Sequence, residues 1–262
     1  MKKKITALFL CVSLLAIAVV GASLAYFTDT TDTKSNTFTM GGVDIDLTEP
    51  KWEGEANLMP GTDYAKDPTI TVGDKSENSY VYLEMSLNKL HSLLWVMAAD
   101  ASADDSINFT IFNADGSLMD AYKNDSGAFS TTKCLAALQA NKKVAQAIVN
   151  KWFKGINHAD WEIVEPIAQD ADNSAYYTLT LAYIGGEKDG VLSAEDEVTF
   201  MTSFGMPASV TSEMISSGKT VGGMKNNFNT DAADFVINFT AYAVQAEGFD
   251  SAAAAWEATF GA

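Results

Sequence analysis

Alternation of apolar and polar residues dominates both ends of the chain. From Thr37 to Leu47 the apolar positions run Phe38, Met40, then Val43, Ile45 and Leu47. The parity shift at Gly41-Gly42 predicts a bulge in one continuous strand with a single buried face. Ser79 to Leu87 alternates more strictly, with Val81, Leu83, Met85 and Leu87 on one side. Further strands are predicted at Thr69 to Val72, Ile107 to Phe112, Tyr176 to Ile184, Val198 to Phe204 and Phe235 to Val244. Turn formers crowd Pro50 to Pro68, and few helices separate the strands. That order predicts a mainly β protein, an antiparallel β-sandwich and not a parallel α/β sheet.

The middle of the chain changes period. Between Thr132 and Phe153 the residues Leu135, Leu138, Ala145, Ile148, Val149 and Trp152 recur at helical spacing, with lysines and glutamines between them. One amphipathic helix is predicted there, within a helical insertion spanning about residues 90–160 and packed on a sheet face. A short C-terminal helix is predicted at Asp250 to Phe260, where Asp250 or Ser251 can cap and Phe249, Trp256 and Phe260 share a stripe. It is expected to close one end of the sandwich.

The first 25 residues differ from the rest. Lys2, Lys3 and Lys4 precede an apolar run from Ile5 to Val20, and Ser23-Leu24-Ala25 supplies the small residues that a signal peptidase needs. Residues 1–25 are therefore predicted to be a signal peptide, cut between Ala25 and Tyr26, with residues 26–262 forming a single domain. The apolar run is short of the roughly 20 residues that span a bilayer, so no stable membrane anchor is expected after cleavage. Export fits the cysteines. Cys11 leaves with the signal peptide, and Cys134 alone cannot form an internal disulfide. Its helical setting predicts a small buried apolar residue and not a reactive thiol.

Composition removes several function classes. Of 262 residues 17 are Lys or Arg and 34 are Asp or Glu, a formal charge of −17. Loss of the three leader lysines leaves 14 of the 17 basic residues, a formal −20. Such a surface does not neutralise phosphates, so nucleic acid is not an expected partner. His91 and His158, the two histidines, form no zinc-binding spacing, and no Gly-x-Ser-x-Gly elbow or phosphate loop is present. No catalytic, cofactor-binding or metal-binding residue is predicted, and the chain is not expected to be an enzyme. Asp170 with Asp172, and Glu187, Asp189, Glu195, Asp196 and Glu197, are expected in solvated loops; calcium there is left open.

Three segments carry a resemblance. They are Leu24-Ala25-Tyr26-Phe27-Thr28-Asp29, then Asn36-Thr37-Phe38, then Gly42-Val43-Asp44-Ile45-Asp46-Leu47. Together these resemble the N-terminal signature of the TasA/camelysin family of secreted biofilm matrix proteins. The segment Phe239 to Phe249, followed by Ala255-Trp256, is similar to the closing strand and helix of that family, and Pro68 to Leu87 matches more weakly. The middle of the chain is unmatched.

The resemblance implies a jelly-roll-like sandwich, processing by a SipW-type signal peptidase, and a place in the extracellular matrix or at the surface of a Gram-positive bacterium. It further implies self-association into fibres, with other matrix proteins as possible partners. In the fibre-forming members the freed N-terminal segment adds to a neighbouring subunit's sheet. Here that donor strand would be residues 26–38, with Phe27 and Phe38 as anchors. A flexible leader is the plainer reading of the same polar stretch. Two alternatives stand beside the fibre: a camelysin-like surface metalloprotease, for which zinc spacing is missing, and a monomeric cell-surface binding module. The second would need an exposed aromatic row, for which Tyr80 with Tyr82, or Tyr176 with Tyr183, are the candidates.

Overall fold

The structure, a computed structural model, describes residues 28–30, 42–54, 56–215, 220–221, 224–225 and 235–261. The proposed cleavage site at Ala25 and Tyr26 and the anchors Phe27 and Phe38 lie outside these residues.

Strand β5 (Ser79–Asn88) organises the largest sheet. Its neighbours are β14 (Ile237–Gln245) on one side and β8 (Tyr176–Tyr183) on the other, both antiparallel. Beyond β8 lies β7 (Trp161–Gln169), beyond β14 lies β1 (Thr28–Thr30), and β9 (Val191–Leu192) pairs with the start of β5. The turn into β9 needs Gly190. Its φ is +89°, and an added Cβ would lie 2.3 Å from the Tyr183 carbonyl oxygen.

Two three-stranded antiparallel sheets complete the β framework. One orders β10 (Glu197–Thr199), β4 (Thr69–Val72) and β2 (Ile45–Thr48); the other orders β3 (Thr62–Ala65), β11 (Ser203–Met206) and β6 (Phe153–Lys154). A two-residue pair, β12 (Thr220–Val221) with β13 (Met224–Lys225), stands apart. The fold is thus mainly β and antiparallel, with helices between β5 and β6 and at the C-terminus.

Period-two alternation decides which side chains enter the core. Val81, Leu83, Met85 and Leu87 of β5 join Ile70 and Val72 of β4, Ile45 of β2, and Ala241 and Ala243 of β14 in one contiguous cluster. Burying each such aliphatic side chain contributes about 1.5–3 kcal/mol. On the opposite face, Tyr80, Tyr82, Ala182 and Val244 pack beneath α5 (Ala252–Phe260) with Ala255 and Trp256. Ser251 caps that helix, its hydroxyl accepting from the Ala254 N–H at 3.2 Å. The helix therefore covers the outer face of the main sheet and does not plug an end of the molecule.

The helical insertion begins with α1 (Leu90–Ser102), which lacks a polar stripe because it is buried almost all round. Its largely apolar sequence, in which even Ser92 and Asp100 are buried, offers no helical period to read. The helix expected from Thr132 to Phe153 is two: α2 (Thr131–Ala140) and α3 (Lys142–Trp152). Asn141, at φ −131° and ψ 80°, ends the first and caps the second, its side chain accepting from the Val144 N–H. The remaining helix, α4 (Ser212–Ile215), is a single turn.

Other expectations also shift. Residues 107–112 form no strand, since Ile107, Phe109, Ile111 and Phe112 pack into the core as irregular chain beneath α1. The predicted Val198–Phe204 strand divides between β10 and β11, which belong to different sheets. Where one continuous strand was expected from Thr37, β2 starts at Ile45; residues 37–41 are outside the described set. Strand β7, missed because Pro166 interrupts its pattern, is an edge strand whose register shifts twice around Glu165.

One ionic contact ties the helices together. Lys151 Nζ of α3 lies 2.8 Å from Asp100 Oδ2 of α1 and 3.0 Å from Asp104 Oδ2. The Asp100 carboxylate is fully buried, and its contact is close but poorly aligned for a hydrogen bond, so it holds by charge. Burial alone would lower the lysine's proton affinity, but the two carboxylates outweigh it and the net shift is upward. Lys151→Met should therefore cost about 3 kcal/mol of unfolding free energy, because it strands a buried charge. Denaturant melts should show Asp100→Leu combined with Lys151→Met recovering much of that loss.

Candidate functional site

Sheet edges are where a β protein can add another chain, and the two edges of the main sheet differ. The β7 edge carries Glu162, Glu165, Pro166 and two register shifts, all features that discourage further pairing. The β14 edge is regular. There β1 pairs antiparallel, with Thr28 opposite Val244, Asp29 opposite Ala243 and Thr30 opposite Tyr242. Part of the segment expected to act as a donor strand is thus a strand, added to the sheet of its own chain.

The acceptor strand is well anchored. Nine β14 residues pair with β5, Ala241 and Ala243 are fully buried, and Phe239 sits 5.3 Å beneath the ammonium of Lys66. Lys66, itself 6% exposed, is held by both carboxylate oxygens of Glu49 at 2.7 and 3.0 Å and lies 4.7 Å over the Trp52 ring. This cluster fastens the loop after β2 against β14. On the outer face Tyr242 packs against Trp256 and Phe260, each with ring centroids 5.6 Å away. By contrast β1 supplies three described pairs. At about 1 kcal/mol net per hydrogen bond, and with about 1–2 kcal/mol of backbone entropy per residue to overcome, such a strand is marginal alone.

No family model, curated protein or solved structure matches this chain.

The other candidate residues separate. His91 Nδ1 lies 2.6 Å from Thr131 Oγ1, bracing α1 against α2, while His158 Nε2 lies 2.8 Å from Asn150 Oδ1. The two histidines thus have separate partners, and among the described residues no group of three or more His, Cys, Asp or Glu could hold a metal ion. Asp170 Oδ1 accepts from the Asp172 and Asn173 N–H groups, and Asp196 Oδ2 from the Ser193 N–H, so these carboxylates shape turns. Cys134 is buried, and burial pushes its thiol up to about 12.

Neither candidate pair of tyrosines forms an exposed aromatic row. Tyr80 and Tyr82 are buried beneath α5, where the Tyr82 hydroxyl donates to the Ala252 carbonyl at 2.8 Å. Tyr176 and Tyr183 are seven residues apart on β8, an odd spacing that puts them on opposite faces. Among the described residues no helix is long and apolar enough to cross a membrane.

Both histidines are held below their ordinary range by burial. A group depressed in the fold makes stability complete above the unfolded value near 6.5 and erodes it as pH falls below. Thermal melts of the wild type should lose stability between pH 7.5 and 5.5. The loss should be smaller in His91→Gln, and equal losses would place the acid sensitivity elsewhere.

Proposed function

We propose that this chain is a secreted structural protein of the extracellular matrix, exported through the peptide cut between Ala25 and Tyr26 and assembled by exchange of its N-terminal strand. The observation that carries the reading is the β1–β14 pairing. A segment that completes the sheet of its own chain can complete the same edge of a second copy in the same register, because the two edges are identical. Such a contact is head to tail. It does not close on itself, so repetition gives a filament.

The β framework supports a jelly-roll-like arrangement, in which the main sheet and the smaller sheets face each other across the core. The resemblance of the N-terminal signature to the TasA/camelysin family supports the same assignment, with a SipW-type signal peptidase acting during export. Matrix partners other than further copies are left to experiment. The protected β7 edge gives the filament one acceptor edge per subunit, β14.

Electron microscopy tests the proposal on the cleaved chain. Protein beginning at Tyr26 should form filaments, and protein beginning at Gly41 should stay monomeric. A second form locks the strand: Asp29→Cys with Ala243→Cys, oxidised as a monomer, should be unable to assemble until the bond is reduced. Equal filament formation by the truncated and full-length forms would overturn the reading.

A further inference from the structure

The carboxylate of Asp100, near the end of α1, is fully buried, and neither Oδ1 nor Oδ2 has a hydrogen-bond partner among the described residues. Every other carboxylate in a described ion pair accepts at least one hydrogen bond. Glu49, Asp63, Asp104 and Asp120 each accept from a lysine, and Asp67 accepts from the Lys51 N–H. Asp100 is therefore buried as an acid that the fold does not solvate.

What faces it is an amine. Lys151 Nζ of α3 lies 2.8 Å from Asp100 Oδ2 without the alignment of a hydrogen bond, and donates instead to Asp104 Oδ2 at 3.0 Å. Asp104, one helical turn beyond Asp100, is partly exposed, and its Oδ1 accepts from the Ser106 N–H and hydroxyl. The neighbouring positions on both helices are apolar and buried: Val96, Met97 and Ala101 on α1, Ile148 and Trp152 on α3. Desolvating two charges there is costly, and one misaligned contact offsets little of it. An amide in their place carries no charge.

We infer that Lys151 and Asp100 condense into an intramolecular isopeptide bond, a self-modification that joins α3 to α1. A bond forms between Lys151 Nζ and Asp100 Cγ, one Cγ–oxygen bond breaks, and one water leaves; nothing is oxidised or reduced. Starting from ammonium and carboxylate, one Nζ proton passes to Asp100 and leaves an amine beside an acid. As Nζ attacks Cγ, a second proton passes to Asp104 Oδ2 and from there to the departing hydroxyl, which leaves as water. The third stays as the amide N–H. Burial opposes the lysine's charge while the two carboxylates favour it, and the net shift is upward. The ions are thus the resting form, and the neutral pair is the form that reacts. Groups held in contact react at effective concentrations far above those of free molecules. The bond supplies a covalent tether that cysteine does not, since Cys134 is the one free cysteine among the described residues and is buried. The ion pair between α1 and α3 is its precursor, and the tether is independent of strand exchange.

Mass spectrometry of the chain beginning at Tyr26, folded and then denatured for measurement, tests the assignment. The wild type should weigh less than its sequence by one water, and its digest should contain the Asp100 peptide joined to the Lys151 peptide. Lys151→Arg keeps the positive charge without an amine that condenses, and should show the full sequence mass. Asp104→Asn, at a partly exposed side chain, should slow the appearance of the joined peptide in freshly made protein by about a hundredfold. Circular dichroism checks that both variants fold, and the wild-type digest decides the matter even where one does not. A wild type of full sequence mass, a water loss that maps to other residues, or a joined peptide in Lys151→Arg would overturn the bond. Undiminished joining in a folded Asp104→Asn protein would overturn the proton route.

Discussion

Nine residue pairs join β5 to β14 and seven join β5 to β8, and almost every other feature of the molecule is arranged around that three-strand unit. Strand β5 is buried on both faces. Its Val81, Leu83, Met85 and Leu87 enter the main core, and its Tyr80 and Tyr82 lie beneath α5. A strand in that position cannot shift register, because a one-residue slip would exchange its aliphatic and tyrosine faces. The outer tyrosines give α5 a surface to cover. That covering fixes Trp256 against Tyr82, and its indole N–H donates to Glu165 Oε1.

The same unit makes the two sheet edges unequal. Beyond β8, β7 is distorted by Pro166 and its register shifts. Beyond β14, the ladder is regular and taken up by a three-residue strand from the far end of the sequence. A firmly held acceptor beside a lightly held occupant is the physical condition for exchange between copies. The lysine–aromatic cluster at Lys66, Trp52 and Phe239 strengthens the acceptor.

Strict alternation made β5, β8 and β14 legible in the sequence, because each has one face in the main core and the other in a different environment. The C-terminal helix was legible too, through Ser251 and the aromatic stripe, although its place on the sheet face was not. Alternation failed where burial was uniform. Helix α1 has apolar residues on every side, so no period marks it. It failed again at β7, where Pro166 broke the pattern, and at residues 107–112, where apolar residues are drawn into the core without a ladder. Asn141 reads as an ordinary polar position within the helical period, yet its side chain divides that helix. The candidate edge was half visible: the N-terminal segment could be named, whereas β14 as its partner depends on pairing across more than two hundred residues.

The central claim is that β1 is the detachable strand of an otherwise firmly paired sheet. Amide hydrogen exchange, resolved by residue, measures this directly on the monomer and on assembled protein. The account predicts that Thr28–Thr30 exchange far faster than the β5 and β8 amides in the monomer and become strongly protected once assembled. Protection of β1 in the monomer equal to that of β5, or unchanged exchange on assembly, would contradict it.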